Sequence, residues 1–88
     1  RAFISCDALS LATGITNATM FEVGVKTRII QRARDVVLMA DHSKFDTVEP
    51  HAVATLSCIK TIISDSALAD DIVQRYTHAG CHLVLPHR

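Results

Sequence analysis

Four short apolar runs constrain this chain more than anything else in it: AFI at 2–4, VVLMA at 36–40, TII at 61–63 and HLVLP at 82–86. They are continuous rather than alternating, the pattern of strands buried on both faces of a parallel sheet. Helix-period segments lie between them. That alternation indicates an α/β fold, expected here as a Rossmann-like, mostly parallel sheet with flanking helices.

The first helix is expected over 19–34. Thr19 with Glu22 three residues later has the form of a capping box, and Phe21, Val25, Ile29 and Ala33 recur at four-residue spacing as its core stripe. The last helix takes Asp65 or Ser66 as its cap and carries Asp70 and Asp71 near its positive end. Leu68, Ile72, Val73 and Tyr76 form its apolar face, and Gly80 supplies a left-handed stop. The segment 45–57, interrupted by Pro50, reads as irregular, with a turn of helix around Val53, Ala54 and Leu56.

Composition narrows the function classes. Nine Lys and Arg balance nine Asp and Glu, so these residues offer no electrostatic footprint for DNA or an anionic membrane. No stretch approaches the ~20 apolar residues of a membrane span. Cys6, Cys58 and Cys81 are odd in number and widely spaced, which suits buried thiols in a reducing, cytoplasmic compartment rather than disulfides. The histidines at 42, 51, 78, 82 and 87 form no zinc-spaced cluster, so no metal and no cofactor is expected. The chain opens directly on a strand without a Met or leader, and is expected to be a single partial domain. Its unpaired sheet edges would associate with another chain or with the rest of the domain, and a homo-oligomer is expected.

In open α/β sheets ligands bind beyond the carboxyl ends of the strands. Three such ends carry an aspartate: SCDALS (5–10), DHSK (41–44) and SDS (64–66). Asp and Ser also end strands and cap helices, which is the expected role of SDS. DHSK is different, because no helix follows and a lysine stands beside the aspartate. Asp41, His42 and Ser43 are sequence neighbours whose tips diverge, so they cannot form a catalytic triad, and no catalytic residue is assigned. Lys44 is instead expected to anchor a phosphate or carboxylate, with Asp41 holding it or a sugar hydroxyl. Glu22, Lys26 and Arg28 lie on the polar side of the first helix. Glu22 and Lys26 are spaced for a surface ion pair, or they begin a helix that faces the cleft of Lys44. His42 and His51 read as solvated loop residues.

Taken in order, Asp7, Gly14, Thr16, Glu22, Lys26, Asp41, Ser43, Lys44, Phe45, Asp65 and Gly80 carry a resemblance. They resemble the C-terminal effector domain of DeoR-type bacterial transcriptional repressors, which reads G-A-D-G-I-D, G-l-T, E-x-x-x-K, D-s-S-K-F, I-T-D and a final G-v-x-v strand. The resemblance implies a domain similar to ribose-5-phosphate isomerase and the coenzyme A transferases, of which this chain would be the second half. It implies sensing of a phosphorylated sugar or related metabolite, with Asp7, Glu22, Lys26, Asp41, Ser43 and Lys44 as ligand-binding residues. Operator DNA would be bound by an N-terminal winged helix-turn-helix outside this chain. One departure matters: Ala8 and Ser10 replace the second glycine and second aspartate of the first motif. Losing that aspartate removes a candidate base and counts against the alternative of a sugar-phosphate isomerase. An oligomerisation module with a decayed site is the other alternative.

Overall fold

The computed structural model describes residues 1–86. Strands β1 (Ala2–Ser5), β4 (Val36–Met39), β6 (Thr61–Ile63) and β7 (Leu83–Val84) form a parallel sheet in the order β1-β4-β6-β7. A second, antiparallel sheet joins β2 (Ala8–Ser10), β3 (Gly14–Asn17) and β5 (His51–Ala54) in the order β2-β3-β5. Helices α1 (Val23–Arg32) and α2 (Asp70–His78) complete the structure. All four apolar runs thus become parallel strands, and the α/β expectation holds.

Register levels the parallel sheet. Ile4 lies beside Leu38, Leu38 beside Ile62 and Ile62 beside Leu83, forming one apolar row across four strands. This row belongs to the core with Leu9, Ile15, Phe45, Leu68 and Tyr76. The phenol ring of Tyr76 meets Phe45 edge-on, centroids 5.1 Å apart at 76°, locking α2 against the loop after β4. The opposite face of the sheet is largely open: Phe3, Met39 and Val84 are 56%, 47% and 41% exposed, while Val37 at its middle is buried. The runs are therefore fully buried mainly on one face within this chain, Val37 excepted.

The antiparallel sheet was hidden in the sequence. β2 and β3 are too short to display alternation, and β5 occupies the segment expected to hold a turn of helix. The only helical turn there is a 3-10 turn at Leu56–Cys58. Gly14 makes the sheet possible. It has φ +74°, and a Cβ there would lie 2.2 Å from the Ala54 carbonyl oxygen of the neighbouring strand.

Both helices are shorter than expected. At α1 the capping box does not form, because 18–22 is a separate turn and Glu22, at the N-cap, makes no capping bond. Of its expected core stripe, Phe21, Val25 and Ile29 face outward, with Phe21 91% exposed, and only Ala33 packs against the core. The helix instead turns Ile30 toward the core and Lys26 into a buried polar position. At α2, Ala69 rather than Asp65 or Ser66 stands at the N-cap, Asp70 and Asp71 occupy the first turn, and Leu68 enters the core before the helix begins. Gly80, at φ +104°, is the left-handed stop that was expected. His87 lies outside the described residues. No helix among those described is long and apolar enough to cross a membrane.

Candidate functional site: the carboxyl ends of the parallel strands

Because Ser5, Met39 and Ile63 are in register, β1, β4 and β6 all finish at one level. Each then releases its Asp-bearing loop at the same edge of the sheet. The loop after β4 is the best fixed. Asp41 leads into a 3-10 turn at His42–Lys44, and its Oδ1 accepts the Ser43 amide at 2.8 Å and the Ser43 hydroxyl. These bonds from Ser43 hold the Asp41 carboxyl below the usual carboxylate range. Asp41 thus stabilises its own turn and makes no direct bond to Lys44, which adds only a weaker attraction; of the two expected roles, a sugar hydroxyl is the one its geometry leaves open.

Asp65 crosses from the neighbouring strand end to brace this turn. Its Oδ2 accepts the His42 amide at 2.9 Å and lies 3.0 Å from His42 Nδ1, while Oδ1 accepts the Ala67 amide at 2.9 Å. The backbone and ring of His42 are the main reason the Asp65 carboxyl is held low. His42 is exposed but fixed, not a free solvated side chain. The spacing signals no metal site, yet the fold brings ligand atoms of Asp41, His42 and Asp65 within 4.8 Å of one another. Existing amide and hydroxyl bonds account for both carboxylates.

On the far side of the turn the chain is pinned to two other elements. Thr47 donates its amide to the Leu9 carbonyl at 3.3 Å. Asp46, at φ +61°, pairs with Arg75 of α2 and accepts the Tyr76 hydroxyl at 2.8 Å. The Arg75 guanidinium, with help from Tyr76, holds the Asp46 carboxyl low, and burial pushes the Tyr76 phenol up. Tyr76 was expected only on the apolar face of the last helix, and Asp46 and Arg75 were not singled out, since residues about thirty positions apart carry no shared local pattern.

Lys26 enters from α1. Only 7% exposed, it lies 3.4 Å from Glu22 Oε1, so the ion pair forms but is not a surface pair. With the Asn17 amide oriented so that its nitrogen donates to the Thr16 carbonyl at 3.1 Å, Asn17 Oδ1 accepts from Lys26 Nζ at 3.2 Å. Asp7, exposed after β1, accepts the Ala18 amide at 2.8 Å and so ties the strand end to the turn before α1. Arg28 points away on the outer side, beside Val25 and Ile29.

Cys6 lies among these charges. Burial pushes its thiol up to about 11, opposed by Lys26 and Lys44 and reinforced by Asp7. Lys44 is half-buried, and among the described residues its ammonium makes no hydrogen bond or ion pair. The arrangement can bind an anion: two cations lie near the level strand ends, Lys26 in a direct ion pair and Lys44 attracted to Asp41 without a direct bond. Cys58 is exposed and Cys81 half-buried, so only Cys6 is the buried thiol that was expected of all three.

Over residues 1–66 the sequence matches the family described as the DeoR C terminal sensor domain. The chain belongs to the DeoR C-terminal sensor domain family. It is 84% identical over 87 residues to an Escherichia coli K12 protein described as a transcriptional regulator of the sgc region, covering 99% of this chain and 34% of that protein. It is 34% identical over 74 residues to the HTH-type transcriptional regulator IolR of Bacillus subtilis, covering 84% of this chain and 30% of IolR. The deoxyribose operon repressor of E. coli K12 is 32% identical over 73 residues, covering 83% of this chain and 29% of the repressor. These DeoR-type relatives are named as regulators and repressors, not enzymes, and the chain spans about a third of their length. The family match ends before α2, whose Tyr76 and Arg75 nevertheless hold the loop that carries Lys44.

Proposed function

We propose that this DeoR sensor chain forms part of the effector site of a cytoplasmic, homo-oligomeric transcriptional regulator. The effector is a phosphorylated sugar or related metabolite. Lys44 and Lys26 meet the phosphate, while Asp7, Asp41, Ser43 and Glu22 lie at the rim for its hydroxyls. Operator DNA is bound by a winged helix-turn-helix elsewhere in the longer regulator, which accords with the zero net charge of these 88 residues. The observation that carries this reading is half-buried Lys44, in the loop at the level strand ends, whose ammonium makes no hydrogen bond or ion pair among the described residues. A cation with no direct carboxylate contact can form a charge-assisted bond to an anionic ligand. Regulation then requires the effector to bind the DNA-competent and DNA-incompetent states with different affinity.

The test is thermal-shift titration of the regulator with sugar phosphates, the unphosphorylated sugars and inorganic phosphate, paired with operator release by gel shift. At least one sugar phosphate should raise Tm and release operator, and its parent sugar should not. Lys44→Ala should weaken that response about tenfold or more, the scale of one lost charge-assisted contact. The proposal fails if no sugar phosphate stabilises the protein, or if Lys44→Ala responds like the parent.

A further inference from the structure

Among the described residues the ammonium of Lys44 makes no hydrogen bond or ion pair, yet the backbone that carries it is fixed on both sides. The Lys44 amide donates to the Asp41 carbonyl at 3.1 Å, and the Lys44 carbonyl accepts the Thr47 hydroxyl at 2.7 Å. Upstream, Asp65 takes the His42 amide; downstream, the Thr47 amide reaches the Leu9 carbonyl. A binding group held in place before its ligand arrives loses less affinity to ordering. Whatever fixes this turn therefore bears on how well Lys44 binds.

Two positions beyond Lys44 the backbone is unusual. Asp46, at φ +61°, is the one non-glycine with positive φ among the described residues. That conformation is costly for a residue with a Cβ, and such outliers gather at ligand clamps and switch regions. α2 grips Asp46 at three points. The Tyr76 hydroxyl accepts its amide at 3.3 Å and donates to its Oδ1 at 2.8 Å, while the Arg75 guanidinium pairs with the carboxylate. The fully buried Tyr76 ring also meets Phe45, the residue between Lys44 and Asp46. As a surface contact the Asp46–Arg75 pair adds little stability, since the side chains are 38% and 47% exposed. Its leverage is geometric: it holds a strained residue next to the ligand loop.

We propose that Tyr76 and Arg75 are positioning residues for the effector: acting through Phe45 and Asp46, they hold the turn that presents Lys44 and so set the affinity for a phosphorylated ligand. This deepens the effector reading and rests on it. Both residues lie beyond the 1–66 segment that matches the family, so the grip is not part of that match. Releasing it leaves every ligand contact available but obliges the turn to order on binding, which weakens affinity. Two consequences separate positioning from a stabilising contact. The effect on affinity disappears once Lys44 is absent, because nothing is left to position. It also follows the side-chain bonds of Asp46 rather than its backbone: Asp46→Gly adopts the left-handed conformation at no steric cost, yet loses the carboxylate that α2 holds.

The experiment is calorimetric titration of the full-length regulator with a panel of pentose and hexose phosphates and with inorganic phosphate, well below the Tm of each variant. Tyr76→Phe, Arg75→Ala and Asp46→Gly should each raise the Kd of the tightest-binding sugar phosphate about three- to tenfold, less than Lys44→Ala does. In a Lys44→Ala background, Tyr76→Phe should change Kd by less than about 1.5-fold. Parental Kd values in Tyr76→Phe and Asp46→Gly, whatever their Tm, would overturn the proposal. So would a Tyr76→Phe loss that persists in full without Lys44, which marks a general loosening of the fold. If Tyr76→Phe does not fold, Asp46→Gly decides, since the exposed side chain it removes leaves Phe45 and Tyr76 packed. The effector reading fails by a different result: the parent binds no sugar phosphate, or Lys44→Ala binds like the parent. Either takes the positioning role down with it, whereas parental binding confined to the Tyr76, Arg75 and Asp46 variants rejects the positioning role alone.

Discussion

Replacing Tyr76 by Phe deletes one oxygen from a fully buried side chain and leaves its ring in place. That oxygen donates to Asp46 Oδ1 at 2.8 Å and accepts the Asp46 amide at 3.3 Å, with the Leu9 carbonyl 3.5 Å away. The hydroxyl has one proton, so the bond to the carboxylate dominates, and the Leu9 carbonyl keeps the Thr47 amide. A hydrogen bond to a charged group contributes about 1.5–3 kcal/mol. The Asp46 side chain is 38% exposed and keeps Arg75, so water and the guanidinium recover part of the loss. The expected cost is at the low end, ~1.5 kcal/mol, or a Tm lower by about 6–12 °C for a domain of this size. Tyr76→Leu also removes the edge-on contact with Phe45 and should cost about 1 kcal/mol more. Urea unfolding of Tyr76→Phe, Asp46→Asn and the double variant measures this directly. Asn tolerates the left-handed backbone of position 46, so that change tests the charge and not the turn. The double variant should recover about 1 kcal/mol relative to additivity. A Tyr76→Phe protein within about 0.3 kcal/mol of the parent, or strictly additive losses, would refute the reasoning.

Three other outcomes are expected. Gly14→Ala should cost several kcal/mol, since the left-handed φ alone costs roughly 1–2 and the new Cβ must also push β5 aside; an unchanged unfolding midpoint would contradict that. Asp41, Asp46 and Asp65 all have carboxyls held below their ordinary value, so their contribution is complete above the unfolded pKa of about 3.9 and is lost as pH falls through the lower folded values. Thermal melts should therefore weaken below about pH 4, and Asp65→Asn should flatten part of that slope. Ser64→Ala should leave stability unchanged or raise it by about 1 kcal/mol, because the Ser64 hydroxyl is buried without a hydrogen-bond partner; a loss of similar size in chemical denaturation would show that it has one.

Much of the candidate site was legible because it sits where strands stop. An apolar run ending in Asp41-His42-Ser43-Lys44 reports a loop at a strand's carboxyl end, and three such runs report three such loops. What could not be read was the division of labour among them. Asp41, expected to hold Lys44 or a sugar hydroxyl, closes its own turn; Asp65, expected with Ser66 as a possible helix cap, braces His42. Each aspartate has several amides within reach along the chain, and only the packed backbone decides which one points at it. The antiparallel sheet escaped for a similar reason. Strands of three and four residues show too little periodicity, and pairing across long separations leaves no local mark.

Lys26 and the stripe on α1 illustrate the limit most clearly. A four-residue apolar repeat says that one face of a helix wants burial, but not what will cover it. In this chain Phe21 and Val25 remain exposed, while Lys26 turns inward to Glu22 and Asn17.

By itself, then, the sequence determined the class of fold, the four parallel strands and the loops at their ends, because continuous apolar runs and strand-end aspartates are local chemistry. Only the tertiary structure decided which charges meet around Cys6, which aspartates are already engaged, and which sheet face stays largely open. Those depend on register, handedness and the rotation of a helix about its axis, none of which has a local code.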